Sequence, residues 1–251
     1  MKENINIVKI GSDSINQNNL EKIIADAKKW EEKTGEKFIF ISSGAVKLWI
    51  DRVEKNWKNS KNFNKSSLAS IWQKFLMKQY WEILWAKEIV WEVLIDDFAN
   101  EKHLTKTLYN LLENNVWIII NHNDTLHPDE LNNVSEKSDN DKNTVFVSKI
   151  FNKFLDIKIK RVIYLTNTNW LLNKEKNTVL GWKIKSDEDK DYYKKFVEEN
   201  KSSSWTGWMK SKLDCGFKVL EYGVGEVIIS NAKNWLKCFD DNRQCTKFFK
   251  K

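Results

Sequence analysis

Ile5-Asn-Ile-Val-Lys-Ile-Gly-Ser12 is a run dominated by Ile and Val that closes on a glycine and a serine. Residues 5–10 read as a buried strand, and Gly11-Ser12 as the tight turn that ends it. Lys9 does not belong in such a strand by hydrophobicity. It is either an edge lysine with a solvated tip or a lysine facing phosphate at the carboxyl end of a sheet strand, where open α/β folds bind ligands.

Working outward, strand and helix patterns alternate. Asn18–Lys33 carries apolar residues at helical spacing (Leu20, Ile23, Ile24, Ala27), and Lys37–Ile41 reads as a second strand. That strand runs into Ser42-Ser43-Gly44-Ala45, small residues opening a helix whose free N–H groups can receive an anion. A polar loop over 56–65 precedes a long amphipathic helix, Ser67–Lys87, which is followed by a strand over Glu88–Ile95 and a helix over Ala99–Glu113. Val116–Ile120 is a strongly apolar strand ending in Asn121-His122-Asn123-Asp124-Thr125. Ser138-Asp139-Asn140-Asp141 comes soon after, with Asp139 or Asn140 placed to cap a helix over Lys142–Phe154. Two such polar clusters, one at a strand's carboxyl end, read as a substrate-binding rim. Arg161–Leu165 is the next strand and leads into Thr166-Asn167-Thr168-Asn169. Ser186–Asn200 is charged and helical, Met209–Tyr222 is a helix and Glu226–Ser230 a strand. The tail from Asn234 is basic and poorly patterned. Short connections between alternating strands and helices predict a mostly parallel sheet covered on both faces, a three-layer α/β sandwich within one domain spanning 1–251.

Composition narrows the function classes. The 251 residues hold 41% hydrophobic and 31% charged side chains, ordinary for a soluble globular protein, and no run approaches a membrane span. No basic-apolar leader opens the chain, and Cys215, Cys238 and Cys245 form no CxxC pair, so a reduced cytoplasm is the expected location. His103, His122 and His127 bring no metal-ligand spacing with them. The net charge of +7 invites a nucleic-acid reading, but the lysines are scattered among Glu and Asp on helical faces, so nucleic acid is not the expected partner. A basic site for ATP and an anionic substrate would add to the same charge.

The run Ser204-Trp-Thr-Gly-Trp-Met-Lys-Ser-Lys-Leu213 has the residues of a phosphate-wrapping loop in Thr206, Gly207, Met209 and Lys212, but tryptophan at 205 and 208, where such a loop wants glycine. The chain holds 13 Trp and only 8 Gly, against a usual glycine share of about 7%.

In order along the chain, Ile-Val-Lys-Ile-Gly-Ser, Ser-Ser-Gly-Ala-Val, Asn-His-Asn-Asp-Thr, Ser-Asp-Asn-Asp, Leu-Thr-Asn-Thr-Asn and Thr-Gly-Trp-Met-Lys-Ser-Lys resemble the glutamate 5-kinases, members of the amino acid kinase family with an αβα sandwich fold. The resemblance runs to about Asn234, and the RNA-binding-like PUA domain of many members is expected to be absent. It implies ATP-dependent phosphorylation of the glutamate side-chain carboxylate, the first step of proline synthesis, with Mg²⁺ riding on the nucleotide. A functional link to a glutamyl phosphate reductase and a homo-oligomer are implied with it. Lys9 and Lys212 match the phosphate lysines and Asp141 an aspartate that orients lysine. Asn121, Ser43, Asp124 and Asn140 match the glutamate site. Lys9, Gly11, Ser12, Thr166, Asn167, Thr206, Gly207, Trp208, Met209, Lys210, Ser211 and Lys212 match the ATP segments. His122 stands where the family usually has Glu, Ser138 where it has Gly, and Asn167 where it has Asp. Sibling acetylglutamate or UMP kinases share the fold, and a non-catalytic nucleotide- or RNA-binding relative would show salt-sensitive RNA binding without turnover.

Trp49, Trp72, Trp91, Trp170, Trp205, Trp208 and Trp235 fall where the resemblance places glycine. Trp and Gly codons differ by one base, and UGA is read as either residue in different lineages. The coincidence implies that these tryptophans are UGA codons read as glycine in the source.

Overall fold

The computed structural model describes residues 4–11, 14–42, 65–84, 89–95, 99–123, 139–167, 183–185, 193, 206–239 and 245–249; at 17, 65, 68, 69, 72, 139, 183–185 and 206–210 it describes the backbone alone. The elements run β1 (Ile5–Ile10), α1 (Gln17–Thr34), β2 (Lys37–Ser42), α2 (Lys65–Leu84), β3 (Val90–Ile95), α3 (Glu101–Glu113) and β4 (Trp117–His122). They continue as α4 (Asp139–Leu155), β5 (Arg161–Thr166), β6 (Lys183–Lys185), α5 (Thr206–Glu221), β7 (Glu226–Asn231), a 3-10 turn at Trp235–Cys238 and β8 (Cys245–Phe249).

The strands form one sheet in the order β3-β4-β2-β1-β5-β7-β8-β6. The first six in that order are parallel; β8 pairs antiparallel with β7, and β6 pairs parallel with β8. Alternation along each strand splits the core in two. Ile5, Ile7, Ile118, Ile120 and Val162 face Leu108 of α3, Phe151 of α4 and Phe217 of α5. Val8, Ile10, Phe40, Ile119 and Ile163 face Leu20 and Ile23 of α1 and Leu76 and Tyr80 of α2. The two clusters are the two interfaces of an αβα sandwich, the expected layering. Central strands are buried on both faces, which is why β1 reads as a nearly continuous apolar run.

Local signals set the ends. The Asn16 side chain accepts from the Asn19 amide to open α1, and Gly35 at φ 72° closes it in the left-handed conformation that glycine adopts without penalty. The Asn100 side chain caps α3 in the same way by accepting from the His103 amide.

Three boundaries differ from the sequence reading in ways that matter. First, β4 runs through Asn121 and His122, so those residues are strand rather than rim loop. Second, α4 begins at Asp139, so Asp139 and Asn140 lie inside its first turn rather than capping it from outside, and Asn140 and Asp141 are buried. Third, α5 begins at Thr206, not Met209, so residues 206–208 of the expected loop have a helical backbone. Met209, Lys210, Lys212 and Leu213 are good helix formers, set against a cost of about 1 kcal/mol for Gly207. The tail is not unpatterned either: Cys245–Phe249 pairs with β7, with Val227 opposite Phe248. The charged stretch 186–200 lies outside the described residues save Tyr193, which is helical and buried.

Of the seven tryptophans at expected glycine positions, two side chains are described. Trp91 is exposed on β3. Trp235 is fully buried and meets Phe38 edge-on at 5.9 Å and Phe239 at 5.5 Å, so an indole is accommodated there, although its Nε1–H finds no acceptor.

Candidate functional site

β1 lies between β2 and β5, with Lys9 in register with Ile41 and Tyr164. A lysine in that position is central, not at an edge, and Lys9 is 3% exposed. Its Nζ lies 2.7 Å from Oδ1 of Asp141, in the first turn of α4. The other oxygen of the same carboxylate, Oδ2, lies 3.3 Å from Nζ of Lys212, in the second turn of α5. Three chain segments far apart in sequence thus bring two ammonium groups and one carboxylate together, all buried, at the carboxyl end of a central strand. Alternation puts Lys9 on the sheet face of Ile5 and Ile7, the face that α4 and α5 cover.

Burial of isolated charges is costly, so their pairing is what makes them tolerable. Burial works against ionisation of Asp141, but Lys212 and then Lys9 outweigh it and hold its carboxyl below the usual range. Burial pushes the Lys212 ammonium down, Asp141 holds it up, and Lys9 pushes it down again. With all three ionised the cluster carries one net positive charge. A buried excess of one positive charge at a strand's carboxyl end favours an incoming anion.

The neighbours brace this cluster. Thr144 donates to the Asp141 carbonyl at 2.6 Å, and its hydroxyl lies 2.6 Å from that of Tyr164 on β5, pinning the first turn of α4 to the sheet. Asn140 is 1% exposed, and its side-chain oxygen accepts from Asn143 at 3.4 Å. After β1, the Gly11 amide donates to the Leu165 carbonyl at 3.4 Å; a Cβ at Gly11 would approach that oxygen to 3.3 Å. Thr166 ends β5. Asn167 accepts from the Ser14 hydroxyl at 3.4 Å through its side chain and from the Asn231 amide at 2.8 Å through its backbone. The two βα turns after β1 and β5 are therefore tied together beside the lysines.

Asn121 sits at the same carboxyl edge but on the opposite face. Its Nδ2 donates to Gln73 of α2 at 2.8 Å, and its Oδ1 accepts from the His122 amide at 2.9 Å. Ser42, the last residue of β2, accepts on its Oγ from the Tyr80 hydroxyl of the same helix at 3.0 Å. Burial pushes the Tyr80 hydroxyl far above its ordinary range, so it is a neutral donor. Ser12, Ser43 and Asp124 lie outside the described residues, as do the side chains of Thr206, Trp208, Met209 and Lys210; Gly207 is seen as helical backbone, and Ser211 lies one residue before Lys212 on α5. Gln73 and Tyr80 were not singled out as site residues by sequence. Both look like one amphipathic face of α2, and only their i, i+7 spacing placed them side by side.

Among the described residues there is no group of three or more His, Cys, Asp or Glu side chains arranged for a metal. None of the helices among them is long and apolar enough to cross a membrane.

The glutamate 5-kinase of Prochlorococcus marinus strain AS9601 is 27% identical over 227 residues, which is 86% of this chain; the chain spans 60% of that relative's length. The glutamate 5-kinase of Streptococcus uberis is 25% identical over 247 residues, covering 91% of this chain and 87% of its own. Carbamate kinase from Giardia lamblia bound to AMP-PNP superposes with a TM-score of 0.67 over 100% of this chain and 99% of that one, at 12% identity, a likeness of fold alone. Residues 4–231, from the strand that carries Lys9 through the one that ends beside Asn167, match the amino acid kinase family, and the chain belongs to that family.

Proposed function

We propose that this protein transfers the γ-phosphoryl group of ATP to the side-chain carboxylate of glutamate. The observation that carries the reading is the buried Lys9–Asp141–Lys212 cluster. Transfer between two anions, a carboxylate and a triphosphate, is limited by positioning and by charge that grows on the moving group. Lys9 and Lys212 come from different layers and converge on one point, so each can meet a phosphate oxygen from its own side. Asp141 has both oxygens engaged by lysine. It therefore orients the ammonium groups and is not available as a base. None is needed, because a carboxylate is already ionised at neutral pH. The tied turns at Gly11 and Asn167 suit the nucleotide, and Asn121, Asn140, Ser43 and Asp124 suit the amino acid, an aspartate for the α-ammonium and amide or hydroxyl donors for carboxylate.

The residues present fit Mg²⁺ as a nucleotide-borne ion, since Asp141, the one buried carboxylate at the site among the described residues, is occupied by lysines. Mg²⁺ would neutralise charge between the phosphates; the chain's own groups bind, orient and stabilise.

An acyl phosphate is trapped by hydroxylamine as a hydroxamate. Incubating the protein with ATP, Mg²⁺ and glutamate, with hydroxylamine present, should yield ADP and glutamyl hydroxamate. ADP release with N-acetylglutamate, carbamate or UMP, and none with glutamate, would overturn the choice of acceptor. Salt-sensitive RNA binding without ADP release from any of them would overturn the kinase reading.

A further inference from the structure

Helix α2 touches the carboxyl ends of β2 and β4 through two side chains two turns apart, Tyr80 on Ser42 and Gln73 on Asn121. Gln73 also donates through Nε2 to Glu92 on the neighbouring strand β3. Glu92 and Asn121 both belong to the paired strands β3 and β4, where Leu94 is opposite Asn121 and Glu92 opposite Ile119. Gln73 thus bridges two strands at the rim.

The polarity of this chain of bonds is set by its end acceptor, Glu92, which takes Nε2 of Gln73. Burial pushes its carboxyl up to about 7, and once ionised it is an acceptor only. Glu92 therefore takes the NH₂ of Gln73, which turns the Gln73 carbonyl toward Asn121. Asn121 must then present its own NH₂ to Gln73, which leaves its Oδ1 for the His122 amide at 2.9 Å. With Glu92 ionised, every amide orientation is decided from the acid end, and among the described residues Asn121 keeps one of its two N–H groups for another acceptor.

We propose that Gln73, oriented by Glu92, is a positioning residue for the acceptor substrate: it locks the Asn121 amide so that its second N–H meets the substrate carboxylate. This rests on Asn121 belonging to the acceptor site, and it concerns the acceptor and not the nucleotide, because α2 covers the sheet face opposite Lys9. Gln73 acts through Asn121 and touches no reacting atom.

The test compares Gln73→Leu, Gln73→Glu and the double exchange Gln73→Glu with Glu92→Gln, using whichever of glutamate, N-acetylglutamate, carbamate or UMP the native protein phosphorylates. Gln73→Leu should raise the acceptor KM by about tenfold, the scale of one positioning hydrogen bond, with the KM for ATP within about twofold of native. Gln73→Glu sets two carboxylates together and should be worse. In the double exchange the carboxylate moves to position 73 and the amide to position 92. Asn121 and the new amide then both donate to that carboxylate, so the orientation at Asn121 is rebuilt and the acceptor KM should return to within about threefold of native. An acceptor KM unmoved by Gln73→Leu overturns the proposal. So does a double exchange that restores thermal stability without restoring KM, the pattern of a purely structural bond. Turnover of another acceptor in place of glutamate would overturn the choice of glutamate alone, since the KM comparison then proceeds with that acceptor.

Discussion

Replacing Asp141 by alanine removes the one negative charge between two buried ammonium groups. Lys9 and Asp141 are 3% and 0% exposed and Lys212 is 5% exposed, so water cannot take over the carboxylate's part without opening the site. Breaking a buried ion pair by deleting one partner costs about 3–5 kcal/mol, because an uncompensated charge stays behind. Here two stay behind. Lys212, already pushed down by burial and by Lys9, loses the group that held it up and would relieve the strain by shedding its proton. The variant should therefore be less stable by about 3 kcal/mol or more in urea unfolding, and its loss should shrink as pH rises and Lys212 neutralises. ATP should restore stability more in the variant than in the native protein, since phosphate supplies the missing negative charge. Turnover should fall by about 10²- to 10³-fold, the scale of losing one preorganised electrostatic contact. Asp141→Asn keeps the shape and removes only the charge, so it should reproduce most of both losses. The reasoning fails if Asp141→Asn unfolds at the native urea concentration and turns over within threefold of native.

Lys9→Ala and Lys212→Ala should each lower kcat by roughly 3–4 kcal/mol of transition-state stabilisation with little change in the KM for glutamate, whereas Asp124→Ala should raise that KM at nearly constant kcat; steady-state kinetics separates the two patterns. At the opposite end of the sheet, Glu36 accepts from Lys160, Asn6, Trp30 and Arg161. Burial resists its ionisation, but these partners, Lys160 foremost, bring its carboxyl from 4.5 to about 2. Its folded pKa lies below the unfolded one, so its contribution is present in full above about pH 5 and is lost as pH falls from 4.5 towards 2; the shift corresponds to at most about 3 kcal/mol. Glu36→Gln should flatten that part of a pH–stability curve, and an unchanged acid limb would refute it. The seven tryptophan codons at expected glycine positions should be UGA, and peptide mass spectrometry of protein from the native source should read glycine at 208; UGG codons or a native tryptophan there would end the recoding idea.

The layering and the oddity of Lys9 were legible because they rest on short-range patterns. Buried parallel strands write themselves as apolar runs, and Lys9 stood out by interrupting one. The pairing of Lys9 and Lys212 through Asp141 came from resemblance and was then met in the geometry. What escaped depends on contacts that spacing does not encode. Gln73 is one polar residue on a half-buried helix, and only the approach of β4 gives it a role. The strand Cys245–Phe249 is five residues long and interrupted by Lys247, whose charge is met by Glu226 across the sheet at 3.2 Å. The helical start at Thr206 extends the good helix formers from Met209 onward back through Thr-Gly-Trp, three residues whose own propensity does not announce a helix.

The cluster of Lys9, Asp141 and Lys212 also imposes an order on synthesis. A ribosome delivers Lys9 first, Asp141 much later and Lys212 near the end. Lys9 paired with Asp141 is by itself neutral. The arrival of α5 turns it cationic. The surplus charge that can draw a triphosphate is therefore complete only once α5, which brings Lys212, is in place.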